Sequence, residues 1–503
     1  MGVKHAKKEY PENFKTMMGF FMTPFTITMG TMAVANYSLF LTDFAGIDSA
    51  IGKTGFAAAF ATIFLVISRI IDAVDDPLQG WLMDSAKERK FGKYRMFGLI
   101  GTGLITVGTI MLFGIPGVAK SNAAFLWIWV LVGYLILETG SAMGTVSTPL
   151  MQKATTNAQI RSKIAAFIRM GSVIGAIPFL FYVPLISIIG ATSGNMGKAA
   201  SGITILFCIL FCGISVVGLF MLKEPYRARV NLEQKKKISL REIVELLKMN
   251  KPLWIHCIGF FIGGLATGTS PLYFLRWKFC ADMATGEVDM VKFAAYSGIL
   301  SVITLIPNFL CPILMPAMMK IFKAPDKCVR ACYVMVAASF GAIFLSNALG
   351  FLTPTLLFVF YFLGMLPNGM IAMLTFMLVT ECADYAEYNM GRNMTALTNS
   401  VYSFMTKASS VIGTAIPGIL LAAVGYSVNE QTGAYVGAME NLPHMVNGLG
   451  ILLGPVPVVY AIIAYLFYKF GYKITPEYRK QMSEELDRRH AVQMENETAQ
   501  TEE

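Results

Sequence analysis

Arg69-Ile-Ile-Asp72-Ala-Val-Asp75-Asp76-Pro77-Leu-Gln-Gly80-Trp-Leu-Met-Asp84 sets acidic residues and an arginine inside an apolar run long enough to cross a lipid bilayer. An ionised group near the bilayer centre costs roughly 2.5–3.5 kcal/mol on insertion scales, so such residues face a bundle interior or a wet cavity. Asp72 and Asp76 stand four residues apart and share a helix face, with Asp75 beside them. Carboxylates gathered on one face repel each other unless a cation or a proton lies between them. The stretch therefore predicts an ion site within a bundle of membrane helices.

The rest of the chain agrees with that reading. Its 503 residues are 55% hydrophobic and 14% charged, with a mean hydropathy of +0.58, whereas a soluble domain carries about 25% charged residues. Apolar runs of spanning length, about 20 residues each, recur near 17–42, 54–82, 96–116, 123–150, 163–190, 200–222, 252–276, 291–318, 329–349, 353–381, 394–425 and 445–468. They predict an all-α membrane protein with twelve transmembrane helices and the lipid bilayer as its solvent.

The net charge of +10 follows the same topology. Of the 41 Lys and Arg, 32 fall in the N-terminus, the even-to-odd loops and the tail, 6 on the opposite side, and 3 (Arg69, Arg169, Lys407) within helices. That asymmetry predicts a cell-membrane protein with both termini cytoplasmic, and it accounts for the basic balance without nucleic acid. The eight cysteines contain no CxxC pair and read as small buried hydrophobes. His5, His256, His444 and His490 are too scattered for a zinc site; His256 reads as a hydrogen-bonded packing residue. No phosphate-binding loop is present, so direct use of ATP is unsupported, and no cofactor is expected. Residues 1–15 lack the apolar core of a cleaved signal.

A long basic stretch divides the chain. It predicts an N-terminal six-helix bundle (1–222), a cytoplasmic middle loop (223–251), a C-terminal six-helix bundle (252–470) and a cytoplasmic tail (471–503) that starts as a short amphipathic helix. The halves share an echo: Arg169 and Lys407 each stand three residues before a Ser-Val-Ile-Gly, at Ser172–Gly175 and Ser410–Gly413. Equivalent helices of duplicated halves would place a site at the repeat interface. Gly175 and Gly413 would also permit close helix packing.

Gly80 and Asp84 lead into Lys87-Glu-Arg89-Lys90-Phe-Gly92-Lys93-Tyr-Arg95. The block from Arg69 to Arg95 closely resembles the signature of the glycoside-pentoside-hexuronide:cation symporters, the family of bacterial melibiose permease within the major facilitator superfamily. The resemblance extends to the Arg169 segment, Glu381-Cys-Ala-Asp384-Tyr-Ala-Glu387-Tyr, Lys407, and Tyr472-Lys-Ile-Thr-Pro-Glu, and so covers nearly the whole chain. It implies a major facilitator fold of two six-helix bundles, alternating access, and a glycoside moved with Na⁺, H⁺ or Li⁺. It also implies that Asp72 and Asp76 are the cation-binding acids, with Asp75 where melibiose permease has an asparagine ligand. A standing pair between Asp72 and Arg69 is the structural alternative.

Two departures bear on the substrate. Near Ile27 and Thr145, where melibiose permease holds galactosyl hydroxyls with carboxylates, this chain has no acid. Arg169 and Lys407 remain, and a cavity with cations in excess favours an anionic substrate, an acidic sugar or hexuronide. The competing reading pairs them with Asp72, Asp76 or Glu138 as a gate. Glu138, seven residues before Thr145, is a displaced ligand or, towards the outer end of its helix, a partner for a loop cation. Gly80, Asp84, Arg89 and Lys93 read as a cytoplasmic latch, with Glu381, Asp384, Glu387 and Arg392 as its counterpart. A lysolipid or other amphiphile is the alternative substrate. A membrane hydrolase using paired aspartates is disfavoured, because Asp72 and Asp76 lie on one helix.

Overall fold

A chain surrounded by lipid must satisfy its backbone within itself, and helices do so locally. The computed structural model describes residues 13–85, 91–154, 158–224, 248–263, 270–391, 395–429, 431–482, 484–486 and 488–489. Every long element among them is helical, and the strand-like pairings are the isolated bridges Ala281–Val288 and Val428–Tyr435.

We label the helices α1 (Phe14–Phe44), α2 (Phe56–Ser85), α3 (Lys93–Phe113), α4 (Ala123–Gly144), α5 (Lys163–Gly190), α6 (Met196–Met221), α7 (Lys251–Gly263), α8 (Met290–Phe322), α9 (Pro325–Ala348), α10 (Pro354–Met390), α11 (Thr395–Ala423) and α12 (Asn441–Phe470). Among the described residues nine helices are long and apolar enough to span a membrane; α2, α7 and α11 hold the remaining three expected positions. Seven of the eight cysteines are buried.

Two boundaries differ from the sequence expectation. The fourth helix ends at Gly144 rather than near 150, and a separate short helix, Ser147–Ala154, follows. The Val146 N–H turns back onto the Gly144 carbonyl at 2.7 Å, and Pro149 lies in the first turn of the new helix, where its missing N–H costs nothing. The tenth helix runs to Met390, well past 381, and stops at Gly391 (φ 67°), a left-handed cap that glycine adopts freely. Glu381, Asp384 and Glu387 thus lie on a helix rather than in a loop.

By packing the chain forms two compact units: Met1–Glu233 with Leu275–Ser301 and Gly418–Val446, and Gln234–Phe274 with Val302–Pro417 and Asn447–Glu503. Two segments that follow the middle loop in sequence therefore pack with the first unit.

Within the first unit, α1 is interrupted at Thr23-Pro24, which breaks its hydrogen-bond ladder. Ser215 of α6 repairs the gap: its Oγ accepts from the Thr26 N–H at 3.0 Å and donates to the Met22 carbonyl at 3.2 Å. α3 and α4 meet through glycines; a Cβ on Gly101 would lie 2.6 Å from the Gly144 Cα. In the second unit Tyr333 of α9 packs edge-on against Tyr460 of α12 with centroids 5.6 Å apart, and Asn250 caps α7 through the Leu253 N–H while donating to the Cys382 carbonyl of α10 at 2.7 Å.

Small residues set membrane helix contacts because backbones must approach closely. Gly101→Val is expected to destabilise the protein by about 1–3 kcal/mol, the usual cost of overpacking. Its unfolding temperature in detergent should fall by several degrees, and an unchanged midpoint would show that the α3–α4 contact can open freely.

Candidate functional site

Asp72 is buried on α2, with 2% of its surface exposed. Tyr134 of α4, equally buried, donates its hydroxyl to Asp72 Oδ1 at 2.5 Å. Aromatic contacts fix the register that brings them together: Phe60 meets Trp127 at 4.3 Å between centroids, and Phe64 meets Tyr134 edge-on at 5.3 Å. α2 and α4 therefore advance side by side in the same direction. Asp75 and Asp76 continue the helix, and Asp76 stands one turn beyond Asp72.

The side chains of Arg69, Asp75, Asp76, Asp84 and Lys407 and the surroundings of Gly80 lie outside the described set, as do Arg89 and Arg392 entirely. Tyr134 is a partner of Asp72 that the sequence does not signal. Nothing in the local pattern around it, Val132-Gly-Tyr134-Leu, ties helix four to helix two.

Two of the positions assigned to substrate, Thr145 and Arg169, have chain neighbours packed on one stretch of α1. Ile27 lies against Gly144, the residue before Thr145. Gly171, two residues after Arg169, abuts the Phe21 carbonyl and Pro24, and Gly175 abuts Phe25. Thr145 is not inside helix four but caps its end; it is exposed and donates to the Ser141 carbonyl at 2.8 Å. Arg169 is exposed as well. Glu138 is half-buried in the C-terminal part of α4, one turn past Tyr134.

Charges expected to form a latch have local surroundings in each unit. Lys93 is buried at the start of α3. Beside it, Glu224 accepts from the Arg95 N–H at 3.1 Å, and Arg95 Nε donates to the Leu219 carbonyl at 3.1 Å. In the second unit Asp384 lines a cavity of about 600 Å³ with Glu381, Lys323 and Arg479. Glu381 is paired with Arg479 of the tail and accepts from the Tyr472 hydroxyl at 2.8 Å, while Asp326 stands 3.6 Å from Arg479. Burial works against the Arg479 charge, but the hydrogen bond and attraction of Glu381, with Asp326, hold the guanidinium above its ordinary range. His256 packs as expected, its Nδ1 hydrogen-bonded to the Tyr468 hydroxyl and its ring stacked on Tyr402.

Residues 18–476 match the family described as MFS/sugar transport protein. The glucuronide carrier protein homolog of Escherichia coli (strain K12) is 24% identical, over 96% of this chain and 97% of its own length. The isoprimeverose transporter of Lactiplantibacillus pentosus is 25% identical, over 93% of this chain and 90% of its own. Among solved structures, the nucleoside transporter NupG is similar with a TM-score of 0.56 at 14% identity, covering 91% of this chain and all of its own. A proton-dependent oligopeptide transporter gives 0.58 at 15% identity, covering 92% and 99%. At such identity the solved structures speak for the fold alone.

Removing the Tyr134 hydroxyl leaves a buried carboxylate short of a donor, which costs roughly 1–3 kcal/mol. Tyr134→Phe is expected to lower the unfolding temperature of the purified protein and to weaken its stabilisation by Na⁺. Equal Na⁺ stabilisation in wild type and variant would detach Tyr134 from the ion site.

Proposed function

The chain belongs to the MFS/sugar transport protein family, and from that premise we propose that it is a cation-coupled secondary symporter that imports a glycoside by alternating access. It is a multi-pass membrane transporter, not an enzyme. The observation that carries the coupled mechanism is Asp72, a carboxylate buried in an apolar helix and held by Tyr134, followed within one turn by two further acids. Asp72, Asp75 and Asp76 hold the coupling cation, Na⁺ or H⁺, with Li⁺ as a further candidate.

The substrate sits among Thr145, Arg169, Glu138 and Lys407. The lack of acids at Ile27 and Thr145 beside two retained cations supports an acidic sugar or hexuronide. The name of the E. coli relative, a glucuronide carrier homolog, points the same way. Relatives named for sugars count against the amphiphile reading. Coupling follows from reciprocity: bound substrate must tighten the cation as much as the cation tightens the substrate. The charge asymmetry of the loops supports cytoplasmic termini in the cell membrane. Gly80, Asp84, Arg89 and Lys93, with Asp384 and Arg392, then lie on the cytoplasmic side as a latch.

Uptake by proteoliposomes under an inward Na⁺ gradient or a pH gradient tests the reading, with a glucuronide, a neutral disaccharide and a lysolipid as candidates. Glucuronide uptake driven by one gradient is expected, reduced at least about tenfold by Asp76→Asn. Transport of the disaccharide without the glucuronide would sink the anionic substrate. Uptake indifferent to both gradients and to the substitution would sink the coupling site.

A further inference from the structure

The first unit contains a buried ion pair that the cation and substrate sites do not use. Asp43, near the end of α1, is paired with Arg276, and their side chains are 0% and 1% exposed. Both lie in five-residue π-helical turns, Phe40–Phe44 and Arg276–Cys280, a distortion that recurs at functional positions.

The pair is tied into a wider knot. Asp43 Oδ1 accepts from Thr42 Oγ1 at 2.8 Å and from the Tyr426 hydroxyl at 3.0 Å. Arg276 Nη2 donates to the Gly433 carbonyl at 2.7 Å, its guanidinium lies 5.0 Å from the Trp277 ring, and Trp277 Nε1 donates to the Tyr426 hydroxyl at 3.3 Å. The knot therefore draws together the end of the first span, the segment after α7, and the loop between α11 and α12.

Its surroundings are built to part. Gly55 approaches Gly425 backbone to backbone, Thr62 fills the space at Gly418, Gly298 faces Pro184, and Ser301 donates to the Leu180 carbonyl. These are contacts of small residues and single hydrogen bonds, whereas the large rings beside the pair, Trp277, Tyr426 and Tyr435, pack on one another. A buried ion pair adds little stability over apolar packing of the same shape, yet removing one partner strands the other charge. Such a pair suits a contact that exists in one state and is given up in another.

We propose that Asp43 and Arg276 form an ionic latch that seals the outer end of the substrate path and breaks once in each transport cycle. This rests on the symporter reading and on cytoplasmic termini, which put the end of α1 outside. Every described segment of the knot also ends or follows an odd-numbered helix, the outer side in that topology. Opening the latch lets Tyr426 and the Gly433 carbonyl exchange their ionic partners for water, so the cost of rupture falls as water enters.

The test uses the full-length protein in intact cells, with the eight native cysteines replaced and Ile27→Cys, near the midpoint of α1, as reporter. A membrane-impermeant maleimide added outside should label the parent slowly. Asp43→Asn and Arg276→Gln are each expected to speed labelling about tenfold, and Tyr426→Phe about threefold, as the closed population shrinks. The reciprocal exchange Asp43→Arg with Arg276→Asp should move the rate back towards the parent. Folding is judged by elution as one species in detergent. Unchanged labelling in folded Asp43→Asn, or loss of folded Asp43→Asn together with unchanged labelling in Tyr426→Phe, overturns the latch and leaves the pair structural. The readout needs neither substrate nor coupling ion, so a failure of the symporter reading shows separately as absent uptake. Labelling that responds only from the inner side would instead overturn the assigned orientation.

Discussion

A charge removed from water must find a partner, and the folded chain is organised by the partners it found. Asp72 takes the Tyr134 hydroxyl, Asp43 takes Arg276 with Thr42 and Tyr426, and Glu381 takes Arg479 with Tyr472. Apart from the Thr42 hydroxyl on Asp43, each contact joins elements distant in sequence. Lipid supplies no hydrophobic drive between helices, so packing and polar contacts of this kind hold a membrane bundle together. A carboxylate in an apolar helix is thus a structural tie as well as a charge, and Asp72 anchors α2 to α4 through Tyr134.

Features set by local composition are legible in the sequence. Helical runs follow from apolar length, the acidic block on α2 from its spacing, and the family from motifs spread along the chain; the family match over residues 18–476 agrees with that resemblance. The helix ends that differ have physical reasons. Gly391 is a typical helix stop, but the apolar run ends about ten residues earlier, so α10 is longer than its hydropathy suggests. Its last turns persist because Glu381 and Ala386 are buried while Tyr478 of the tail packs on Tyr385 and Tyr388 and Arg489 donates to the Tyr388 carbonyl.

The pairings themselves are not legible there. Tyr134, Arg276 and Arg479 are ordinary residues in their local sequence, and only the register of packed helices makes them partners. By sequence alone Arg276 is simply one of six cations on the outer side, and Arg479 belongs to a solvated tail helix. Ser215 is a similar case: a serine in an apolar helix signals nothing until the break at Pro24 in α1 leaves an N–H and a carbonyl for it to bridge. The positions proposed for substrate fall between these cases. Thr145 and Arg169 stand out through a family pattern, and the structure adds their common neighbour, the Phe21–Thr28 stretch of α1.

That neighbourhood has little slack. Gly171 and Gly175 bring α5 onto the backbone of α1, and Gly144 brings α4 onto Ile27. Helices in backbone contact cannot slide without opening voids or clashing, and packed interiors deform poorly. Ile27, Thr145 and Arg169 consequently ride on one plate whose internal geometry stays constant while access changes around it. On the proposed reading of Thr145 and Arg169, the shape that meets a substrate is set once, by glycines, and the same half-site is presented to both sides of the membrane.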